Sequence, residues 1–401
     1  MGQMKRDIRL RGFSALSSLA IAWAWLDRQP AASRTEVVTL AAEVASRVLV
    51  EPASSRSAWP DVDRAATDGY AVRGADCDGA SAYNPLMLVW LEPGVDQLSP
   101  GSVCPIAAGW TLPAGADAVL PFESAQRNDR RWLEVVAPVA PGTGINPRGR
   151  ELRAGAGLLE RGRRLRPQDL GCLSALGCKS VSVLCRPRVR IVVLGAKSGS
   201  DALTPMLLAL LARDGAVAKP VFVDGADELK LEEALISSQA GEAELVLLAG
   251  RSGAGPDDVA ALALQTAGGA LALHGLALRP GGSAGLGTLP GPPGGVPVVL
   301  LPGEPLACLV AYDMLAARLV RRLAGIGLAL PYPVATFELE RKIASAIGLV
   351  EIVLVRLADG RAQPLSLEGG LAGSVRADGF VIVAEASEGH AASASVQVHL
   401  Y

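Results

Sequence analysis

The sequence predicts an α/β multidomain protein: a central doubly wound parallel sheet, a β-rich inserted domain and a small C-terminal β domain. Three observations carry this. From residue 188 onward, short apolar runs alternate with helical stretches, the rhythm of strand–helix–strand units. Two of those runs, 245–249 and 296–301, end in glycine-bearing turns. A length of 401 residues also exceeds what one hydrophobic core usually serves.

In chain order, Phe13, Leu16, Leu19, Ala20, Trp23 and Leu26 share one helical face, which predicts an amphipathic helix over 13–26. The basic stretch before it also imitates a signal peptide, and both readings are kept. Apolar residues at helical spacing predict a second helix over 36–48. Residues 86–90, 116–120 and 132–136 read as short strands of the β-rich domain. Glycine-rich turns follow from 142, then a helix over 167–176 that opens on Pro167 and ends at Gly177. The alternating part reads as strand 189–194, helix 202–213, strand 219–223, helix 227–239, strand 245–249, helix 257–266, strand 296–301 and helix 306–323. Residues 281–295 form a loop or hairpin, and strands at 334–339, 351–356, 379–384 and 394–399 make the last domain. The expected boundaries are an N-terminal segment 1–35, a linking domain of 36–56 with 142–186, the β-rich domain 57–141, the α/β domain 187–329 and the C-terminal domain 330–401.

Composition narrows the function. A net charge of −2 gives nucleic acid no electrostatic attraction. Beyond 13–26, itself too short to span a bilayer, no stretch is apolar enough for a membrane helix. Six cysteines without a Cys-x-x-Cys pair suit reduced thiols in a cytoplasmic protein. Three histidines at no ligand spacing argue against a His-based metal site or a Ser-His-Asp triad, so any metal would rest on carboxylates. The chemistry-bearing residues cluster at two strand ends. Gly250, Arg251, Ser252, Gly253 and Gly255 lead to Asp258 after the first run, and Pro302, Gly303, Glu304 and Pro305 follow the second. Glycines there let the backbone approach an anion, and ligands of such sheets bind outside the carboxyl ends of the strands.

Taken in order, these motifs resemble the molybdopterin molybdenumtransferases, the MoeA proteins and the gephyrin E-domain. Asp68-Gly69-Tyr70-Ala71-Val72 is similar to the family's Met-Asp-Gly-Tyr-Ala-Val, with Thr67 in place of Met. Asn146-Pro147-Arg148-Gly149-Arg150-Glu151 resembles its Asn-Ile-Arg turn, and the glycine loop ending at Asp258 its Gly-Gly-x-Ser-x-Gly-x-x-Asp. Leu278-Arg279-Pro280-Gly281 resembles Lys-Pro-Gly-Lys-Pro, and Leu301 to Pro305 resembles Leu-Pro-Gly-Asn-Pro. The resemblance implies molybdenum cofactor biosynthesis: molybdate is joined to adenylylated molybdopterin with loss of AMP, assisted by Mg2+. It implies a homodimer, with Asp68 facing the partner's pocket. Asp258 and Asp224 would lie near the cation, and Glu151 would support the site. Arg279, Pro280 and Gly281 would join the two glycine loops in binding the nucleotide. A molybdopterin adenylyltransferase or a molybdoenzyme is the partner it suggests.

The chain is a divergent member. Gly195 to Asp201 replaces the family's Thr-Gly-Asp-Glu-Leu and the loop after it, so an acidic pair is missing while Lys197 is nearby. Ala108 stands for a Thr, Arg150-Glu151 for Glu-Asp, Arg251 for a glycine, Gly282-Ser283 for Lys-Pro and Glu304 for Asn. These changes favour an alternative, a catalytically impaired relative that binds or delivers the cofactor. Plainer roles stand beside the functional ones. Asp68-Gly69-Tyr70 reads also as a turn with a packed Tyr, Asp224-Gly225 as a turn, and Asp201 and Asp258 as helix caps. Glu304 reads equally as an acid at a helix start, and Arg163-Arg164 as a solvated face.

Overall fold

The structure, a computed structural model, describes residues 8–127, 130–195, 201–223, 228–239, 243–291 and 294–401. It divides into two compact units, one of 1–38, 46–50 and 182–401, the other of 39–45 and 51–181.

The first unit holds the α/β sheet. Its elements are β1 (Arg188–Leu194), α1 (Leu203–Arg213), β2 (Val217–Val223), α2 (Glu228–Gln239), β3 (Leu245–Ala249), α3 (Ala260–Thr266) and β4 (Ala270–His274). They continue with β5 (Leu278–Arg279), β6 (Gly285–Leu289), β7 (Val296–Leu301) and α4 (Pro305–Ala311). The sheet order is β2-β1-β3-β7-β6-β4. The first four strands are parallel, as expected from their unbroken apolar runs. β6 and β4 extend the sheet antiparallel, so the 281–295 hairpin supplies a strand. Alternate residues of each strand enter different cores. Val189, Ile191, Val193, Leu245 and Leu247 pack with α1 and α4, whereas Val192, Leu194, Val246 and Leu248 pack with α2 and α3. That two-faced burial makes the sheet doubly wound.

α4 runs on through a π-helical segment, Tyr312–Ala316, into helix Ala317–Ala324, which ends at Gly325 with φ +70°. The π segment turns Tyr312 and Asp313 into a buried polar network. Asp214, 1% exposed, accepts from Arg321 Nε (2.9 Å), Arg213 Nη2 (2.8 Å) and the Tyr312 hydroxyl (3.0 Å). Asp313 accepts from Arg213 (2.7 Å) and the Tyr332 hydroxyl (2.8 Å). Burial pushes the Tyr312 phenol up, so it stays a donor.

The C-terminal strands close into a small barrel. Val350–Ala358, Arg361–Pro364, Val334–Leu339, Ser395–Leu400 and Gly379–Val383 pair in turn, and the last returns to the first. β5 adds to its edge, pairing Leu278 with Val350 and Arg279 with Glu351.

Three expectations need correction. The helix predicted over 13–26 spans Leu19–Asp27, because Ser18 caps it by accepting the Ile21 N–H. Phe13 and Leu16 lie before it, in chain that runs beside residues 275–277 through a parallel bridge of Ser17 with Leu276. Leu19, Ala22 and Leu26 bury their side chains in the α/β core. Residues 36–48 form no long helix. Thr35–Thr39 is a strand, as β-branched Thr35, Val37, Val38 and Thr39 favour, and only Ala42–Val44 makes a 3-10 turn. α3 starts at Ala260, not 257, because the preceding residues fold back on the glycine loop.

The second unit carries the β-rich part. Its six-stranded sheet runs Ala118–Leu120, Gly69–Val72, Ser102–Ile106, Leu86–Trp90, Trp132–Val135 and Ala125–Arg127. Val72, Leu88, Val103, Leu120 and Leu133 form its core. The expected helix lies at Pro167–Ala175, and Gly177 takes φ +75°. Its buried Asp169 accepts from Arg163 and Arg166, so Arg163 is tied down rather than simply solvated. None of the six cysteines is paired. Burial pushes the Cys77 thiol up to about 11 and that of Cys308 up to about 12, so both stay protonated near neutral pH. Among the described residues no helix is long and apolar enough to cross a membrane.

Candidate functional site

The four parallel strands finish nearly level: Leu194 pairs with Val223, Val193 with Ala249, and Ala249 with Leu301. The turns beyond them therefore meet. Gly250, at φ +96°, lies so near Leu194 that a Cβ there would stand 3.0 Å from its carbonyl oxygen. A Cβ on Gly303 would come within 3.4 Å of the Gly250 Cα. Between these turns opens a cleft of about 400 Å³, lined among others by Gly195, Asp201, Gly250, Arg251, Asp257 and Gly303. It sits outside the carboxyl ends of β1, β3 and β7, where open α/β sheets take their ligands.

Arg251 is the cleft's distinctive residue. Its backbone adopts φ +49°, a left-handed conformation uncommon for a side-chain-bearing residue. The guanidinium lies across Gly195, whose hypothetical Cβ would stand 2.8 Å from Nε. Nη1 donates to the Asp257 carbonyl at 3.2 Å. The Asp257 carboxylate is 3.8 Å away and 81% exposed, a loose, water-screened pairing.

Asp258 faces the other way. Its Oδ2 accepts the Gly255 N–H at 2.6 Å, and a Cβ on Gly253 would collide with the same oxygen at 2.6 Å. The glycines thus make room for an internal brace. Ser252, 2% exposed, shares a hydrogen bond with Ser283 (Oγ to Oγ, 3.3 Å). Its carbonyl lies 2.7 Å from His274 Nε2. A carbonyl only accepts, so Nε2 carries the proton. Burial holds the imidazole below its ordinary pKa, against the opposing pull of Asp258, and keeps it neutral.

The other expected residues divide. Glu304 caps α4, accepting from Leu306 N (3.0 Å) and Ala307 N (2.6 Å), and Pro305 begins the helix. The structure therefore gives Glu304 the helix-start role and fills the helix N–H groups from within. Arg279 donates to Glu351 Oε1 through Nε (3.0 Å) and Nη2 (2.6 Å); Glu351 is 4% exposed. Pro280 and Gly281 carry the chain from β5 into the turn that brings Ser283 to Ser252. Asp201 accepts the Thr204 N–H at 2.6 Å in the first turn of α1. Asp224 and Lys197 lie outside the described residues.

In the second unit, Asp68 and Glu151 are both exposed. Asp68 accepts the Ala108 N–H at 2.8 Å, a bond that needs no hydroxyl at position 108. Glu151 accepts from Asn146 Nδ2 at 3.3 Å. The antiparallel pairing of Ile145 with Ala65 and Asn146 with Arg64 leads the chain toward Asp68 and the chain toward Glu151 in opposite directions, and the Glu151 N–H donates to the Trp59 carbonyl, so the structure does not bring these two acids together. Tyr70 packs edge-on against Phe122 and Trp90.

His274 and Glu351 carry no local signal of their roles. Their partners are 22 and 72 residues distant, and only the sheet pairings unite them.

Comparison with known proteins agrees with this fold. Residues 15–177 match the family described as MoeA N-terminal region (domain I and II), and residues 190–322 match a probable molybdopterin binding domain. Molybdopterin molybdenumtransferase 2 of Mycobacterium tuberculosis is 30% identical over 289 residues, 67% of this chain and 70% of the relative. The chain belongs to the molybdopterin molybdenumtransferase family. A putative molybdopterin biosynthesis protein of Methanocaldococcus jannaschii is 26% identical and matches 94% of both chains. The crystal structure of the molybdopterin biosynthesis MoeA protein from Pyrococcus horikoshii superposes with a TM-score of 0.75 at 26% identity, covering 96% of this chain and all of that one. The family's place is molybdenum cofactor biosynthesis. The glycine loops of the cleft fall inside the matched molybdopterin binding domain.

Proposed function

We propose that the chain inserts molybdate into adenylylated molybdopterin and releases AMP, with the diphosphate seated in the cleft between Gly195, Gly250 and Gly303. The observation that carries this reading is the convergence of three strand-end turns around one arginine, inside the matched molybdopterin binding region. Release of AMP breaks a phosphoanhydride, and a fixed positive charge close by offsets the negative charge that develops on the leaving phosphate. Asp258 holds the loop, and Arg279 and the Pro280-Gly281 turn shape its neighbour; Asp68 and Glu151, both exposed and held by different partners, are proposed to serve the site from the second unit. The experiment is AMP release by purified protein given adenylylated molybdopterin, with and without molybdate. Molybdate-dependent release supports the transferase.

A second reading has its own support: Asp258, Glu304 and Asp201 all spend their carboxylates on backbone N–H groups. A relative that binds or hands on the cofactor without turnover would retain the nucleotide and release no AMP.

Mg2+ is the family's expected cation. Among the described residues no three His, Cys, Asp or Glu side chains gather as ligands, and Asp224, one of the two expected cation ligands, lies outside them, so a cation held by Asp258 would complete its shell with substrate oxygens and water. The proposed working form is a cytoplasmic homodimer in which Asp68 serves the partner's pocket. The proposed exchange partner is a molybdopterin adenylyltransferase or a molybdoenzyme. Sedimentation at micromolar concentration tests the dimer, and a monomer there removes the shared site.

A further inference from the structure

We propose that the Arg251 guanidinium is the cleft's built-in cation, so that a nucleoside diphosphate binds here without a divalent metal. This rests on reading the cleft as the diphosphate site, and it assigns the charge-neutralising role to a side chain.

The geometry is specific to that role. Arg251 accepts a left-handed backbone at φ +49°, which costs on the order of 1 kcal/mol for a residue with a Cβ. In that conformation the side chain enters the cleft. The guanidinium rests on Gly195, and any side chain at 195 would meet Nε at 2.8 Å and Nη2 at 3.0 Å. Two positions in different strand-end turns are therefore matched, a bulky cation in one and an absent side chain in the other. The side chain keeps 25% exposure, enough for its edge to meet a ligand. Among the described residues the guanidinium makes one hydrogen bond, through Nη1 to a backbone carbonyl, and no tight ion pair.

The carboxylates around it point to the same conclusion. A bound Mg2+ generally needs one or two free carboxylates alongside substrate phosphates. Asp258 is turned onto Gly255, Asp201 onto Thr204 and Glu304 onto α4. Of the two carboxylates that line the cleft among the described residues, Asp201 and Asp257, the more exposed is Asp257, and it lies beside Arg251, whose charge disfavours a second cation there. A guanidinium presents a planar fork of donors to phosphate oxygens and needs neither carboxylate ligands nor dehydration of a metal.

The test is calorimetric binding of ADP to the full chain, in EDTA and again in Mg2+, for wild type, Arg251→Gly and Arg251→Lys. Glycine adopts φ +49° without strain, so Arg251→Gly should fold at least as stably as wild type. The expected result is wild-type affinity that EDTA leaves unchanged. Arg251→Gly should lose roughly tenfold or more in EDTA, the effect of one charge-assisted contact, with Arg251→Lys intermediate. Wild-type binding that appears only with Mg2+ would overturn the proposal and leave the diphosphate site standing. Equal affinity of Arg251→Gly and wild type in EDTA would overturn it as well. Absence of ADP binding under every condition would remove the diphosphate reading itself.

Discussion

Asp258 Oδ2 and the Gly255 N–H lie 2.6 Å apart, so the acid that ends the glycine loop braces that loop from inside. The carboxylate that most resembles a metal ligand in sequence is thereby a structural acceptor. Asp258→Asn keeps an acceptor oxygen and should retain ADP affinity and most AMP release. Asp258→Ala leaves the Gly255 N–H without its partner, and should cost about 1–3 kcal/mol by urea unfolding and weaken ADP binding with it. Loss of AMP release in Asp258→Asn with ADP affinity unchanged would instead place the carboxylate in the chemistry.

Arg279 and Glu351 join β5 to the C-terminal barrel. Removing the arginine strands a carboxylate that is 4% exposed, whereas the arginine itself is half in water. Arg279→Ala should therefore destabilise by about 2–3 kcal/mol, below the range for fully buried pairs. Arg279→Ala with Glu351→Leu should recover most of the loss in thermal unfolding. If Arg279 served only a phosphate, the single variant would keep its melting temperature and lose ADP affinity alone.

The sheet and its glycine turns were legible in the sequence because buried parallel strands are continuous apolar runs, and Gly250 and Gly303 mark where backbones must touch. The motif order from Asp68 to Pro305 pointed to the family that the comparisons support. Side-chain direction was not legible. Nothing local says that Asp258 and Glu304 turn onto backbone N–H groups, since the same residues at the same spacing could face a ligand. The segment 36–48 misled because Val37, Val38, Leu40 and Val44 suit both periods, and the β-branched residues decide for a strand. Asp214 and Arg321 are 107 residues apart, and only the packed π segment brings such a pair into one buried network.

The His274–Ser252 contact makes loop stability depend on pH. The folded-state pKa is depressed by burial, so the unfolded chain binds the proton more readily. Stability is fully present above the unfolded value of about 6.5 and is lost as pH falls toward the folded value. The protonated ring would place its second N–H at Nδ1, which is buried without a partner among the described residues, with the Phe13 ring edge-on to the imidazole. The bond to the Ser252 carbonyl and the negative charge of Asp258 both favour the protonated ring and moderate the loss. Urea midpoints should therefore fall as pH drops below about 6.5, and His274→Gln should flatten that part of the profile. An unchanged slope in the variant would remove His274 as its source.

Glu304 separates helix capping from ligand charge. Its carboxylate satisfies two N–H groups of α4 next to the glycine turn of the cleft. A diphosphate seated there meets that negative charge, while the helix needs only the acceptor oxygen. Glu304→Ala should lose the cap and cost about 1 kcal/mol, with little gain in binding because the helix start frays. Glu304→Asn keeps a capping oxygen and removes the charge, so ADP should bind a few-fold more tightly, and more so at low salt where Coulomb repulsion is least screened. Equal ADP affinity of wild type and Glu304→Asn at low salt would show that the carboxylate lies beyond reach of the phosphates, and the seat of the diphosphate would move away from α4.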